Sequence, residues 1–134
     1  MRFMMLYKPG GESDAPPTQR EMEEMGQFIQ EMAQSGVLIA TDGLQASSKG
    51  ARVRISDGKF TVTDGPFTET KELIAGYAIV EAKSKQEAIE LAKRFLQVVG
   101  KGESEIRLMH DAASADATCA QGFEHVGEAQ GATR

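Results

Sequence analysis

Two copies of one helix-start signal, each lying between apolar strand-like segments, most constrain the fold of this chain. Residues 18–21 and 84–87 both match S/T-x-x-E, in which a hydroxyl and a carboxylate accept hydrogen bonds from backbone N–H groups at a helix start. Apolar residues then recur at three- and four-residue steps, which predicts helices with one buried face. They are Met22, Met25, Ile29, Met32 and Ala33 in the first helix, and Ala88, Leu91, Ala92, Phe95 and Val99 in the second.

Four segments with strand character surround these helices: residues 3–7, 37–44, 73–82 and 105–109. The resulting order is β-α-β followed by β-α-β, which is the arrangement of ferredoxin-like folds. Residues 51–55 alternate apolar and polar side chains, and Asp57-Gly58 provides a tight turn into residues 60–63. The predicted fold class is therefore α+β, with a β-hairpin inserted between the two halves.

The strands also predict the oligomeric state. Residues 3–7 and 74–80 are apolar at both odd and even positions, so both faces of the sheet are expected to be covered. Two helices cover only one face. A two-fold homodimer that packs sheet against sheet is the favoured cover for the other. The alternative is that the hairpin or the C-terminal tail folds over it.

The length of 134 residues predicts one domain, which we place at residues 1–110. Residues 111–134 are rich in Ala, Ser, Gly and Asp and predict a flexible or loosely docked tail. Cys119 and His125 lie in it without neighbours at ligand spacing and are interpreted as a bystander thiol and a surface histidine. No apolar run approaches the ~20 residues of a membrane span, and no signal-peptide pattern opens the chain. We expect a cytoplasmic protein that does not bind membranes.

Charge and motifs narrow the expected ligands. The net charge of −5 argues against nucleic acid, because binding to the phosphate backbone needs clustered Lys and Arg. The sequence contains no metal-ligand spacing and no glycine-rich phosphate loop. We therefore expect a small-molecule ligand, with no metal and no cofactor.

The segment between the hairpin and the next strand contains the principal candidate for chemistry, Asp64. It ends a predicted strand before Gly65-Pro66. A carboxylate held part-buried near Phe67 and Tyr77 would serve as a general base. The alternative is that Asp64 caps the turn by accepting hydrogen bonds from the backbone N–H groups that follow.

Three further side chains have two interpretations each. Lys71, with Glu69 or Glu72, either orients an anionic substrate or belongs to a solvated charge cluster. Asp42 precedes Gly43 at a predicted turn and has the same two interpretations as Asp64. Tyr77 either donates a hydrogen bond into a cleft or packs as a cross-strand tyrosine. The predicted ligand-binding residues are Asp42, Gly65, Pro66, Phe67, Lys71 and Tyr77, with Asp64 as the catalytic candidate.

The run Asp64-Gly65-Pro66-Phe67, with Lys71-Glu72 and Gly76-Tyr77 after it, resembles the signature of the DGPF subgroup of YCII-related proteins. The resemblance covers residues 2–109 and includes residues 4–7, 43–44 and 86–89. It implies a dimeric α+β barrel. Relatives in the wider superfamily have a His-Asp pair, but residues 2–109 contain no histidine. The last strand also ends Leu108-Met109-His110, where the subgroup usually has Arg-Pro.

The expected protein is a homodimer. Its expected function is to bind a small organic metabolite in a cleft near Asp64, with isomerase- or lyase-like acid–base chemistry and no cofactor. The alternative is a non-catalytic protein-interaction or regulatory module. The resemblance implies this second function, because some members occur alongside alternative sigma factors.

Overall fold

The computed structural model describes residues 1–12, 15–69 and 72–110. Lys71 and the predicted tail, with Cys119 and His125, lie outside the described residues. The elements follow the predicted order. They are β1 (Arg2–Lys8), α1 (Gln19–Gln34), β2 (Leu38–Gly43), a 3₁₀ turn (Ser47–Lys49), β3 (Ala51–Ser56), β4 (Lys59–Asp64), β5 (Gly76–Glu81), α2 (Lys85–Val99) and β6 (Glu103–Leu108).

Four of the strands form one antiparallel sheet in the order β2-β5-β1-β6. The first strand of each β-α-β half is therefore central, and the second strand of each half lies at an edge, as in ferredoxin-like folds. Strands β3 and β4 form a separate two-stranded sheet. Asp57 and Gly58 join them with positive φ angles of 52° and 78°, as a tight hairpin turn requires. The predicted fold class and inserted hairpin are confirmed.

The helix ends follow the sequence signals closely. In α1, the Glu21 N–H donates to Thr18 Oγ1 at 3.1 Å and the Thr18 N–H donates to Glu21 Oε1 at 3.3 Å, so the capping box is complete. In α2, the Glu87 N–H donates to Ser84 Oγ at 3.2 Å. Gly100 ends α2 with a φ of +83°, a left-handed conformation that glycine adopts without steric cost.

The core lies between the sheet and α2. Phe3, Met5 and Val80 from the central strands pack against small residues, Ala82, Ala88 and Ala92, which let the helix approach the sheet. Helix α1, which is described in full, has Met32 as its one buried residue. The prediction that Met22 belongs to the buried stripe is wrong, because its side chain is 55% exposed.

Two predicted strands are shorter than expected. The predicted strand at residues 73–82 begins at Gly76, and Leu73 is buried in the segment before it. In β2, the register with β5 shifts between Leu38 and Ala40, which leaves Ile39 half-exposed. The apolar runs in the sequence predict that these segments are buried. They do not predict the irregular backbone before Gly76 or the register shift in β2.

The sheet face opposite the helices carries apolar side chains between charged ones. Met4 lies opposite Ile79, and Leu6 lies opposite Tyr77; all four are half-buried. Among the described residues, part of this face is therefore left open, and the homodimer stays a prediction. Among the described residues, no helix combines the length and apolar character needed to cross a membrane.

Candidate functional site

A cavity of about 890 Å³ lies between the helices and the sheet. In α1, Met32 near the C-terminal end is the one buried residue. The earlier turns of this helix stand away from the strands and leave the cavity. Its walls are mostly apolar, and this size is typical of sites for small organic molecules. The apolar wall includes Met5, Leu38 and Ala78 from the sheet, Met25, Phe28 and Ile29 from α1, and Leu91, Phe95 and Val99 from α2.

The aromatic part of the wall is built around Phe95. The Tyr7 ring meets it edge to face at 5.2 Å between centroids, and the Phe28 ring lies 6.4 Å away. The Tyr7 hydroxyl donates to the Lys101 carbonyl at 3.0 Å, and burial raises the pKa of Tyr7. A neutral, hydrogen-bonded phenol therefore contributes to this wall.

Asp42 and Tyr77 are the two predicted site residues whose strands border the cavity, but the register places their side chains on the open sheet face, where Tyr77 pairs with Leu6. They face each other across the β2–β5 pair, and the Tyr77 hydroxyl donates to Asp42 Oδ2 at 3.3 Å. The Thr41 hydroxyl donates to the Tyr77 carbonyl at 2.8 Å, which fixes the strands at this point. The Asp42 carboxylate keeps lone pairs with which it can accept a hydrogen bond or a proton from a ligand.

The loop after β4 packs on the 3₁₀ turn through backbone contacts. The Gly65 N–H donates to the Gly50 carbonyl at 3.0 Å. A Cβ added at Gly65 would collide with the Ser47 carbonyl, so this approach needs glycine. The Phe67 N–H donates to Ser47 Oγ at 3.0 Å.

Glu12 joins this loop to the cavity. The hydroxyl and N–H of Ser47 donate to its two carboxylate oxygens at 2.7 Å and 2.6 Å, and Glu12 itself lines the cavity. Sequence reasoning missed both residues. The available signals were a glutamate after Gly10-Gly11 and a Ser-Ser pair before the hairpin, neither of which is specific.

Arg52 holds the far side of the same loop. Its Cζ lies 4.0 Å from the centroid of the Phe67 ring, and its Nη1 donates to Glu69 Oε2 at 2.9 Å. That hydrogen bond lowers the pKa of Glu69. Phe67 is therefore half-buried beneath a guanidinium, and the partner of Glu69 is an arginine of the hairpin.

Asp64 is exposed at the end of β4. The hypothesis placed it part-buried near Phe67 and Tyr77, but it is not among the residues that line the cavity. Within the described ranges its carboxylate accepts no hydrogen bond, so the alternative of a turn cap is not observed there either. Gly65, Pro66 and Phe67 likewise lie outside the cavity wall.

In the described part of the chain, no three His, Cys, Asp or Glu side chains cluster as metal ligands. One carboxylate, Glu105, pairs with two basic side chains on the open face of the sheet. There, Glu105 accepts from Lys8 at 2.7 Å and from Arg107 at 3.1 Å. The hydrogen bond from Lys8 is the main reason that the pKa of Glu105 is lowered.

Comparison with known proteins establishes the family. The model of the YCII-related domain matches residues 1–108, which include both β-α-β halves and the hairpin. The chain belongs to the YCII-related family. No curated protein matches it.

One solved structure with a related fold is the 5-chloro-2-hydroxyhydroquinone dehydrochlorinase TftG from Burkholderia phenoliruptrix AC1100, in complex with 2,5-dihydroxybenzoquinone. It is 14% identical to this YCII-related chain, and the alignment covers 87% of this chain and all of the other, with a TM-score of 0.43.

Proposed function

We propose that this YCII-related protein binds a small, largely apolar organic molecule in the cavity between its helices and its sheet. The single observation that carries the proposal is the cavity itself, which combines mostly apolar walls with Glu12. Apolar walls supply affinity, and a few placed polar groups orient the ligand. The ligand class is therefore a small molecule with a largely aromatic or aliphatic body.

We further propose that the protein uses a carboxylate for acid–base chemistry without a cofactor. Asp42 is the candidate on the open sheet face, where the Tyr77 hydroxyl donates to its carboxylate. Asp64 remains the candidate that the sequence favours. It is exposed among the described residues. The homodimer, the DGPF subgroup and the cytoplasmic location belong to the same proposal, and the run Asp64-Gly65-Pro66-Phe67 supports the subgroup.

The experiment is a thermal-shift screen of small organic acids, lactones and phenols, because a ligand that binds only the native state raises the melting temperature. Ile29→Trp places an indole in the cavity. Met22→Trp adds the same group to an exposed position of the same helix and serves as the control. We expect compounds that stabilise the wild type and Met22→Trp but not Ile29→Trp. Equal responses from all three proteins would place binding elsewhere.

Two further variants separate the carboxylates. With a compound whose binding is lost in Ile29→Trp, Asp42→Asn should leave binding unchanged, because the register places the Asp42 side chain on the other sheet face. A compound whose binding is lost in Asp42→Asn instead binds on the open face. Asp64→Asn should leave binding unchanged if Asp64 acts only in proton transfer. If turnover of the compound survives in both variants, neither Asp42 nor Asp64 is its acid–base group.

The protein-interaction or regulatory function stays a prediction. Phe67, the apolar side chain of the loop after β4, is half-buried beneath Arg52 and is not free to contact a partner protein. The surface that supports this function is instead the exposed apolar face of the hairpin.

A further inference from the structure

The β3–β4 hairpin gathers its basic side chains on one face. Arg52 pairs with Thr63, and Arg54 pairs with Thr61, in the antiparallel register. Residues two apart along a strand point the same way, so these four side chains share a face, and Lys59 lies on it nearer the turn. This polar face therefore carries three cations in a chain whose net charge is −5.

The loop after β4 returns over the polar face and closes a small pocket against it. Arg52 Cζ lies 4.0 Å from the centroid of the Phe67 ring, and Arg52 Nη1 donates to Glu69 Oε2 at 2.9 Å. The pocket has a volume of about 270 Å³ and is lined by Arg52, Arg54, Thr61, Thr63 and Glu69. All of its lining residues are polar, and its volume lies below the usual range of sites for drug-sized molecules. It therefore fits a single ionic group.

The pocket holds more hydrogen-bond donors than acceptors. The Arg54 side chain, which stays charged at any physiological pH, has no hydrogen bond or ion pair in the described part of the chain. The hydroxyls of Thr61 and Thr63 have no hydrogen-bond partner there either. Glu69 is the one carboxylate among the lining residues, and Arg52 already donates to it.

The lining side chains carry a net positive charge. They include two guanidiniums and one carboxylate. The hydrogen bond from Arg52 is the main cause that lowers the pKa of Glu69, and the positive charge of Arg54 also contributes. Arg54 therefore acts electrostatically on the same small space, and its charge is left without a paired carboxylate among the lining residues.

Unmatched donors and positive charge define the ligand as an anion. A guanidinium presents parallel N–H groups that match two oxygens of a phosphate or a carboxylate. Across the two strands the paired side chains are about 5 Å apart, and along a strand the two rows are about 7 Å apart. Donors therefore approach one group from four corners. A tetrahedral phosphate has oxygens for all four corners, whereas a carboxylate has two oxygens in one plane.

We propose that this pocket on the polar face of the hairpin binds a phosphate group, either inorganic phosphate or the phosphate of a small metabolite, through Arg52, Arg54, Thr61 and Thr63. The site is separate from the cavity between the helices and the sheet and shares no lining residue with it. Glu69 competes with the phosphate for Arg52. A nucleic-acid backbone is disfavoured as the source, because the chain as a whole is acidic.

Titration with inorganic phosphate tests the site. The ionic strength is held constant with chloride, so that screening does not change, and NMR follows the arginine Nε–H and threonine methyl signals of the full chain. Saturable shifts are expected at Arg54 and Thr61. Arg54→Gln should weaken binding at least about tenfold, because it removes a charged hydrogen-bond donor. Arg20→Gln removes the same charge from an exposed position of α1 and should match the wild type. Equal phosphate affinity in the two variants would overturn the proposal.

Two further variants distinguish a shaped site from diffuse positive charge. Thr61→Val keeps the size and charge of the side chain but removes a hydroxyl donor, so it should weaken phosphate binding about threefold or more. Glu69→Gln removes the competing carboxylate and should tighten binding. Both positions are exposed, so the fold does not depend on either side chain. If Thr61→Val binds phosphate as the wild type does, affinity follows charge alone and the proposed site is wrong.

Three probes on the wild type decide the class and source of the anion. Inorganic phosphate and methyl phosphate both present tetrahedral oxygens, whereas acetate presents a planar pair. Both phosphates should bind more tightly than acetate, and the tighter of the two identifies the source as free phosphate or a phosphorylated metabolite. Acetate that binds as tightly as both phosphates would overturn the assignment to phosphate.

Discussion

Gly65 is the residue at which the hairpin loop leaves least room. A methyl group there meets the backbone carbonyl of Ser47, which is not a flexible side-chain end. We predict that Gly65→Ala lowers the free energy of unfolding by roughly 1–3 kcal/mol, the usual cost of overpacking. Gly43→Ala is the control, because nothing lies within 4 Å of its added Cβ. Denaturant titration checks both variants, and equal stabilities would contradict this packing.

Glu105 provides a second prediction at the residue scale, on pH dependence. Hydrogen bonds from Lys8 and Arg107 lower its pKa in the folded protein. Its contribution to stability is therefore present above the unfolded pKa and is lost as pH falls through the folded pKa. Replacing it in Glu105→Gln should flatten the loss of stability on the acid side. Glu103→Gln on the same strand is the control and should keep the wild-type slope when melting temperature is followed between about pH 2 and 6.

The 3₁₀ turn is the element that connects the hairpin loop with the cavity, through Ser47 and Glu12. Ser47→Ala removes one hydrogen bond to Glu12 and one from the Phe67 N–H. We expect a loss of about 1–2 kcal/mol and faster hydrogen exchange at the Phe67 amide. Ser48→Ala, whose hydroxyl has no hydrogen bond among the described residues, should change neither quantity. Unchanged Phe67 exchange in Ser47→Ala would disprove the connection.

At this scale the sequence predicts elements better than it predicts the site. Capping signals, helical periodicity and the Asp57-Gly58 turn are local, so they place both helices and the hairpin. The contact of Glu12 with Ser47 joins residues 35 positions apart and depends on tertiary structure. The exposure of Met22 and Asp64 likewise depends on how α1 and the hairpin lie against the sheet, which periodicity does not encode.

In the whole molecule, the cavity and the exposed apolar face of the β3–β4 hairpin lie in different places and arise from different elements. Helix α2 packs closely through alanines, whereas α1 stands away from the sheet and leaves the cavity. The hairpin leaves the sheet between β2 and β5 and presents its apolar face outside it. Ligand binding is therefore expected to respond to Ile29→Trp in the cavity and not to a substitution on the hairpin face, such as Val62→Glu.

The most direct test of the proposed binding site uses the methionines as reporters. Met5, Met25 and Met32 line the cavity, whereas Met4 lies on the open sheet face and Met22 on the exposed side of α1. Protein labelled with ¹³C at the methionine methyl groups would be titrated with a compound from the thermal-shift screen and followed by NMR. The account predicts shifts at the three cavity methyl groups, with Met4 and Met22 unchanged. Shifts confined to Met4 or Met22 would contradict it.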